Sequence, residues 1–356
     1  MFKSSKQAGL TVLALVMAFG FVSCVAAEPN TTATQPFDGA QGGPDAFAIN
    51  KLIGRGVNLG NALEAPKEGD WGVTLEEGYF QLIKDAGFNS IRLPVRWSIH
   101  AANEPPYTID PNFFKRVDWA VKNAQSRNLV VVLNMHNYYE LFTDPNNNRE
   151  RFISLWKQIA ERYKGYPNTL LFELCNEPAG ALDAKWSTLA NETLAVVRKS
   201  NPKRVIVIGP SNFNEVYKLK LLELPKDDRN IIVTFHYYQP YRFTHQGAPW
   251  AKDSNNWLGM KWNGIIQEKN AIVRDFNLAV GWGKVNNRPI FIGEFGTFYK
   301  ADMESRVRWT KFVTDTAAQD GFSMCYWQFA SNFAIYDTEN KTWIKSLLDA
   351  IIPPKK

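Results

Sequence analysis

Two glutamates in this chain each close a short apolar run, one within Asn176-Glu177-Pro178 and the other within Gly293-Glu294-Phe295-Gly296. A carboxylate at the end of a buried strand is costly to desolvate, so two of them call for a reason. Cleavage of a glycosidic bond supplies one: a carboxyl group protonates the leaving oxygen while a second acts as nucleophile or base. Side chains with such duties belong at the C-terminal mouth of a β/α barrel, where the strand-to-helix loops converge.

Further polar residues fall at the same kind of place. Apolar runs predict eight strands, at Gly56–Gly60, Ser90–Leu93, Leu129–Asn134, Leu170–Leu174, Val205–Ile208, Ile231–Phe235, Ile290–Gly293 and Ser323–Trp327. At or just beyond their ends stand Asn61 and Glu64, Arg92, His136 and Asn137, Asn176, His236 and Tyr238, and Trp327 with Gln328. Only four histidines occur in the chain, and two of them are in this set. Each residue has a duller use. Arg92 could be a core ion-pair partner, the histidines satisfied buried groups, Glu177 a helix N-cap and Trp327 barrel packing. Several unpaired polar groups at one mouth, however, need a common purpose.

The elements that must position them alternate short Val/Ile/Leu/Phe runs with amphipathic stretches, which implies βα units and a parallel sheet covered on both faces. Thr74-Leu75-Glu76-Glu77 reads as a capping box, and Asp110-Pro111 as an N-cap followed by proline at the first helical position. Phe152, Leu155, Trp156, Ile159, Ala160 and Tyr163 recur on one helical face. Eight strands with helices between them predict an α/β fold, a single-domain (β/α)8 TIM barrel over residues 46–356. The long interval from His236 to Arg288 predicts an elaborated loop over the mouth. An open groove lined by Trp71, Trp97, Trp250 and Trp257 is expected there.

Composition excludes several alternatives. The 356 residues are 45% hydrophobic and 13% aromatic, with twelve tryptophans, as a large core and flat aromatic surfaces require. The formal charge is +6 with no basic run, so a nucleic-acid partner is not expected. Lys3 and Lys6, an apolar stretch from Leu10 to Val22, and Val25-Ala26-Ala27 predict an export signal over residues 1–27, with a secreted or periplasmic product. Cys24 offers lipid anchoring as the alternative. Residues 28–45 read as a flexible linker. Cys175 and Cys325, on opposite strands of the expected barrel, should be unpaired buried thiols. A metal-dependent reading with His136, His236, Glu294 and Asp337 as ligands lacks a His-x-His pair on the first strand, and neither metal nor cofactor is expected.

On the Asn176-Glu177-Pro178 and Gly293–Gly296 motifs, together with Gly54–Pro66 and Phe243–Gly247, the chain resembles glycoside hydrolase family 5, in a bacterial subgroup with endoglucanase and mannanase members. The resemblance spans about Ile49 to Ile352. It implies a retaining hydrolase of β-1,4-glucans, with β-1,4-mannans as the alternative and a carbohydrate-binding pseudoenzyme as the non-enzyme reading. It implies Glu177 as acid/base and Glu294 as nucleophile, held ionised by Arg92. His136, Asn176, His236 and Tyr238 would support them, and Asn61, Glu64, Asn137, His245, Trp250 and Trp327 would bind sugar. The partner expected is a β-glucan or glucomannan, and the protein is expected to act as a monomer. Asn137 and Gln328 depart from the subgroup, which often has His and Glu there.

Overall fold

The computed structural model describes residues 45–354. The expected export signal and the expected linker up to residue 44 lie outside the described residues. Among the described residues, no helix is long and apolar enough to cross a membrane.

Eight parallel strands close a barrel in chain order, with the last paired to the first. They are β1 (Arg55–Asn58), β2 (Ser90–Leu93), β3 (Val130–Asn134), β4 (Leu170–Glu173), β5 (Ile206–Ile208), β6 (Ile231–Tyr237), β7 (Ile290–Phe295) and β8 (Ser323–Tyr326). Each lies within two residues of its predicted place, because runs buried on both faces are apolar throughout and stand out from amphipathic helices. Asp110 caps the helix Pro111–Gln125 by accepting from the Asn112 N–H, as its sequence predicts. The expected face from Phe152 to Tyr163 is buried.

Two expectations fail. The helix after β1 begins at Glu77 with Glu76 at its N-cap and no side-chain cap, so the Thr74–Glu77 capping box does not form. The crossover from β5 to β6 carries only the short segment Ser211–Asn214, broken by left-handed backbone at Asn212 and Phe213, and the 3-10 turn Val216–Leu221, where a longer helix is expected.

Strand side chains alternate in and out of the barrel with period two. At the lower end most inward positions are apolar, Val130, Val132, Leu171, Val207, Ile232 and Phe291, and the helix Ala46–Ile53 packs on them as a plug, with Ser90 and Ser323 donating to the Ile53 carbonyl and Asn50 Oδ1. Nearer the upper end the same faces carry Asn58, Arg92, Asn134, Glu173 and His236, all buried. The barrel interior thus changes from oil to a polar layer directly beneath the mouth.

One irregularity aims the second glutamate. The pairing of β6 with β7 runs Phe235 to Ile292 and then His236 to Glu294, skipping Gly293. The register with β8 shifts over the same stretch. Such a bulge turns a side chain at a strand end. A Cβ at position 293 would lie 2.8 Å from Thr234 Oγ1 and 2.9 Å from His236 Nε2, so only glycine lets the strands approach this closely.

Candidate active site

Arg92 is the hub of the polar layer and is fully buried. Its Nη1 donates to Glu294 Oε1 at 2.7 Å and to Asn58 Oδ1 at 2.9 Å. Its Nη2 donates to Asn176 Oδ1 at 2.7 Å and to Glu173 Oε1 at 2.8 Å, while Nε donates to Glu173 Oε2 at 2.6 Å. One guanidinium is therefore shared between two carboxylates. Lone buried charges of this kind persist only when paired and hydrogen-bonded. The bond from Arg92 also orients Asn176, whose side-chain oxygen is taken.

Glu294 receives a second donor, the Tyr238 hydroxyl, at 2.9 Å on Oε2. Burial raises its carboxyl above the ordinary range, while His236, Arg92 and the Tyr238 bond pull against that rise. Glu177 has only His236 Nδ1, 2.7 Å from Oε1. Burial lifts Glu177 to about 7, against the pull of Arg92 and with a push from Glu173. Desolvation is the largest cause at both glutamates, and Glu177 adds a smaller upward push at Glu294. His236 Nδ1 also lies 3.6 Å from Glu294 Oε2. Donor atoms of Glu177, His236 and Glu294 all stand within 4.8 Å of one another. Among the described residues this trio is the group able to hold a metal ion, and each member is already engaged in the hydrogen-bond network. His136 and Asp337, expected ligands of a metal-dependent reading, are not in it.

Around the glutamates opens a cleft of about 530 Å³ lined by Asn61, Glu64, His136, Asn137, Asn176, Glu177, Tyr238, His245, Trp250, Glu294 and Trp327. Every site residue expected from sequence is there except Arg92 and His236, which lie just beneath it. His136 stacks on Trp327 with ring centroids 5.7 Å apart and planes 10° from parallel, and burial holds it neutral. His245 packs against Tyr241, Tyr238 and Trp250, its pKa driven down to about 3 by burial. Glu64 accepts backbone N–H bonds from Asn61 and Ala62, yet burial still raises it to about 7. Three lining residues, Asn61, Asn137 and Glu177, have φ of 65°, 55° and 49°. Left-handed backbone at non-glycine positions gathers at functional sites, where the surroundings fix it.

The aromatic groove differs from expectation. Trp71 and Trp250 line the cleft, but Trp97 is fully buried, donating from Nε1 to the Asn134 carbonyl at 3.0 Å. Trp257 packs edge-on against Tyr241 instead. Sequence reasoning also missed Glu173, Asn214, Tyr139 and Phe333. Glu173 carried a readable signal, since it is an acid inside the apolar run Leu170–Leu174. A larger concavity, about 720 Å³, lies at the starts of β7 and β8 and contains none of these groups.

A closed (β/α)8 barrel with two glutamates converging at its mouth defines a glycosidase-type site. The sequence profile for Cellulase (glycosyl hydrolase family 5) matches residues 54–333, and the chain belongs to that family. Endoglucanase H of Acetivibrio thermocellus is 38% identical over 317 residues, covering 87% of this chain and 34% of that enzyme. The chain thus spans about a third of that relative's length. Thermotoga maritima Cel5A, solved with mannotriose and with cellobiose, is 50% identical with a TM-score of 0.85, covering 86% of this chain and 100% of that one. A hyperthermophilic endo-β-1,4-glucanase solved with substrate is 46% identical with a TM-score of 0.86, covering 87% and 100% respectively.

Proposed function

We propose that this chain is an endo-acting, retaining hydrolase of β-1,4-glucosidic bonds in cellulose-type and mixed-linkage glucans. The observation that carries the reading is the approach of Glu177 and Glu294 oxygens to within 4.8 Å. Retaining glycosidases hold their carboxyl groups about 5–5.5 Å apart, whereas inverting ones need about 6.5–9.5 Å to admit a water. In the first step a Glu294 oxygen attacks the anomeric carbon as the Glu177 proton passes to the glycosidic oxygen. The C–O bond breaks and a glycosyl ester forms. In the second step the Glu177 carboxylate takes a proton from water, whose oxygen attacks the anomeric carbon and releases Glu294.

The surroundings fit this division of labour. Glu294 has two donors and serves as the anion, while Glu177, near 7, can be protonated or ionised at neutral pH. The Asn176 side-chain nitrogen is free for a sugar hydroxyl, and Trp327 offers a flat face at the cleavage point. The exposed Trp250 rim suits an internal segment of a polymer.

Hydrolysis of β-1,4-mannans, alone or alongside glucans, is the second reading, favoured by the mannotriose complex of Cel5A. A parallel panel of carboxymethyl cellulose, barley β-glucan, glucomannan and galactomannan tests both. The glucans and glucomannan should be cut fastest, and dominant galactomannan cleavage would overturn the preference. The same reading has the protein exported through residues 1–27, with lipid anchoring at Cys24 as the alternative. It acts as a monomer and needs neither metal nor cofactor.

A further inference from the structure

Asn212, Phe213 and Asn214, in the loop after β5, are three consecutive non-glycine residues in left-handed backbone, with φ of 57°, 62° and 56°. Each such residue costs on the order of 1–3 kcal/mol and persists only where its surroundings fix it. Here they do. The Asn212 N–H donates to Asp183 Oδ1 at 2.8 Å and the Asn212 amide to Glu215 Oε2 at 2.7 Å. The Phe213 N–H donates to the Pro178 carbonyl at 3.2 Å. Glu215 pairs with His236 in an isolated parallel bridge. The turn is therefore tied on one side to the residue after Glu177 and on the other to the strand of His236.

This turn delivers the Asn214 side chain into the interior. Asn214 is fully buried, with Nδ2 3.3 Å from His236 Nε2. Its Oδ1 has no partner among the described residues. A Cβ at position 209 would fall 2.2 Å from that oxygen, so the amide fits only beside glycine. Turned over, the amide would leave both of its N–H groups unpaired, against one N–H and the carbonyl oxygen as placed, and an orphaned buried N–H is the rarer and costlier group. The other ring nitrogen of His236 is the one that meets Glu177.

We propose that Asn214 is a positioning residue: by donating to His236 Nε2 it fixes the neutral imidazole with its proton on Nδ1, aimed at Glu177. The inference rests on Glu177 being the acid/base of the proposed hydrolysis. With an N–H facing it, the Glu177 carboxylate gains a donor in the step where it must act as base. Remove Asn214 and the other tautomer becomes accessible. Nδ1 then turns a lone pair toward Glu177, and the protonated carboxyl is favoured. The other titratable groups facing this pair are Arg92 on β2, His136 beyond β3, Glu173 on β4, Cys175 beyond β4, Tyr238 beyond β6, Glu294 on β7, and Tyr139 and Tyr241 at the starts of short helices. All are retained when residue 214 is changed.

Two measurements test the assignment. In ¹⁵N–¹H spectra of the wild-type protein at neutral pH, His236 should carry its proton on Nδ1 and accept at Nε2; a proton on Nε2 would overturn the proposal without any variant. In pH profiles of kcat/KM on soluble β-glucan, the basic limb of Asn214→Ala should move up by about half a pH unit or more. That of Asn214→Asp should move down, because an aspartate there keeps both ring nitrogens protonated. A lower rate with unmoved limbs, or limbs moving the same way in both variants, marks plain packing and contradicts the assignment. A wild-type protein inactive on every β-glucan would instead sink the hydrolase reading, leaving the spectra to decide the tautomer alone.

Discussion

Glu177 and Glu294 are the same side chain in unlike surroundings, and the contrast assigns their proposed roles. Glu294 takes bonds from Arg92 and Tyr238, while Glu177 meets one imidazole and lines the open cleft. Glu177→Gln should lose about 10²–10⁴-fold in turnover on polysaccharide, the usual worth of positioned proton transfer. The first step on an aryl glycoside with an acidic phenol leaving group should suffer far less, because that leaving group needs no proton. Pre-steady-state release of the phenol measures this, and an equal loss on both substrates would remove Glu177 from the acid role. The same pKa has a consequence for stability. Its folded value of about 7 lies above the ordinary 4.5, so the fold prefers the neutral carboxyl. That preference stabilises fully below pH 4.5 and is lost as pH rises through 7. Glu177→Gln, neutral throughout, should therefore be more stable than wild type at pH 8 by about 1–3 kcal/mol, and unfold at higher temperature there, with no gain at pH 4. Equal stability at both pH values would contradict the burial argument.

At the scale of elements, inward positions near the upper ends of β1 to β4 build one polar layer. Arg92 on β2 is paired with Glu173 on β4 and Glu294 on β7, neutralising what neither strand could bury alone. Glu173→Ala strands half of the guanidinium and should cost about 3–5 kcal/mol in urea unfolding, as loss of one partner of a buried pair does. A cost below about 1 kcal/mol would mean that Glu294 alone suffices for Arg92. The strands themselves were legible in the sequence, because each is a short apolar run ended by polar residues. So were the glutamates, through the cost of an acid beside such a run. Glu173 sits inside the apolar run Leu170–Leu174, and only period-two alternation, which places it inward with Leu171, reveals its part in the polar layer. Trp97 was misassigned to the groove because residue type says nothing about which side of a loop a ring takes. Asn214 left no readable trace, since its position depends on a left-handed turn that asparagines permit without requiring.

For the whole molecule, the closed barrel separates stability from chemistry. The plug helix Ala46–Ile53 and the apolar lower layer seal one end, and the loops at the other end are free to vary around a fixed polar layer. This is why family membership and the glutamate pair could be read from motifs, while the choice among glucan, glucomannan and mannan could not. Under the proposed function that choice would fall to hydroxyl contacts from Asn61, Glu64, Asn137 and Gln328, which line the cleft at the mouth. Gln328 is almost fully buried there, and its Oε1 has no partner among the described residues.

The central claim is that Glu294 forms a sugar ester in a cleft shared with Glu177. Its most direct test is trapping with a 2-deoxy-2-fluoro cellobioside carrying an activated leaving group, followed by peptide mass spectrometry. The account predicts a single cellobiosyl adduct on Glu294 together with time-dependent loss of activity. An active enzyme that turns the reagent over with inversion, or an adduct on any other residue, would contradict it.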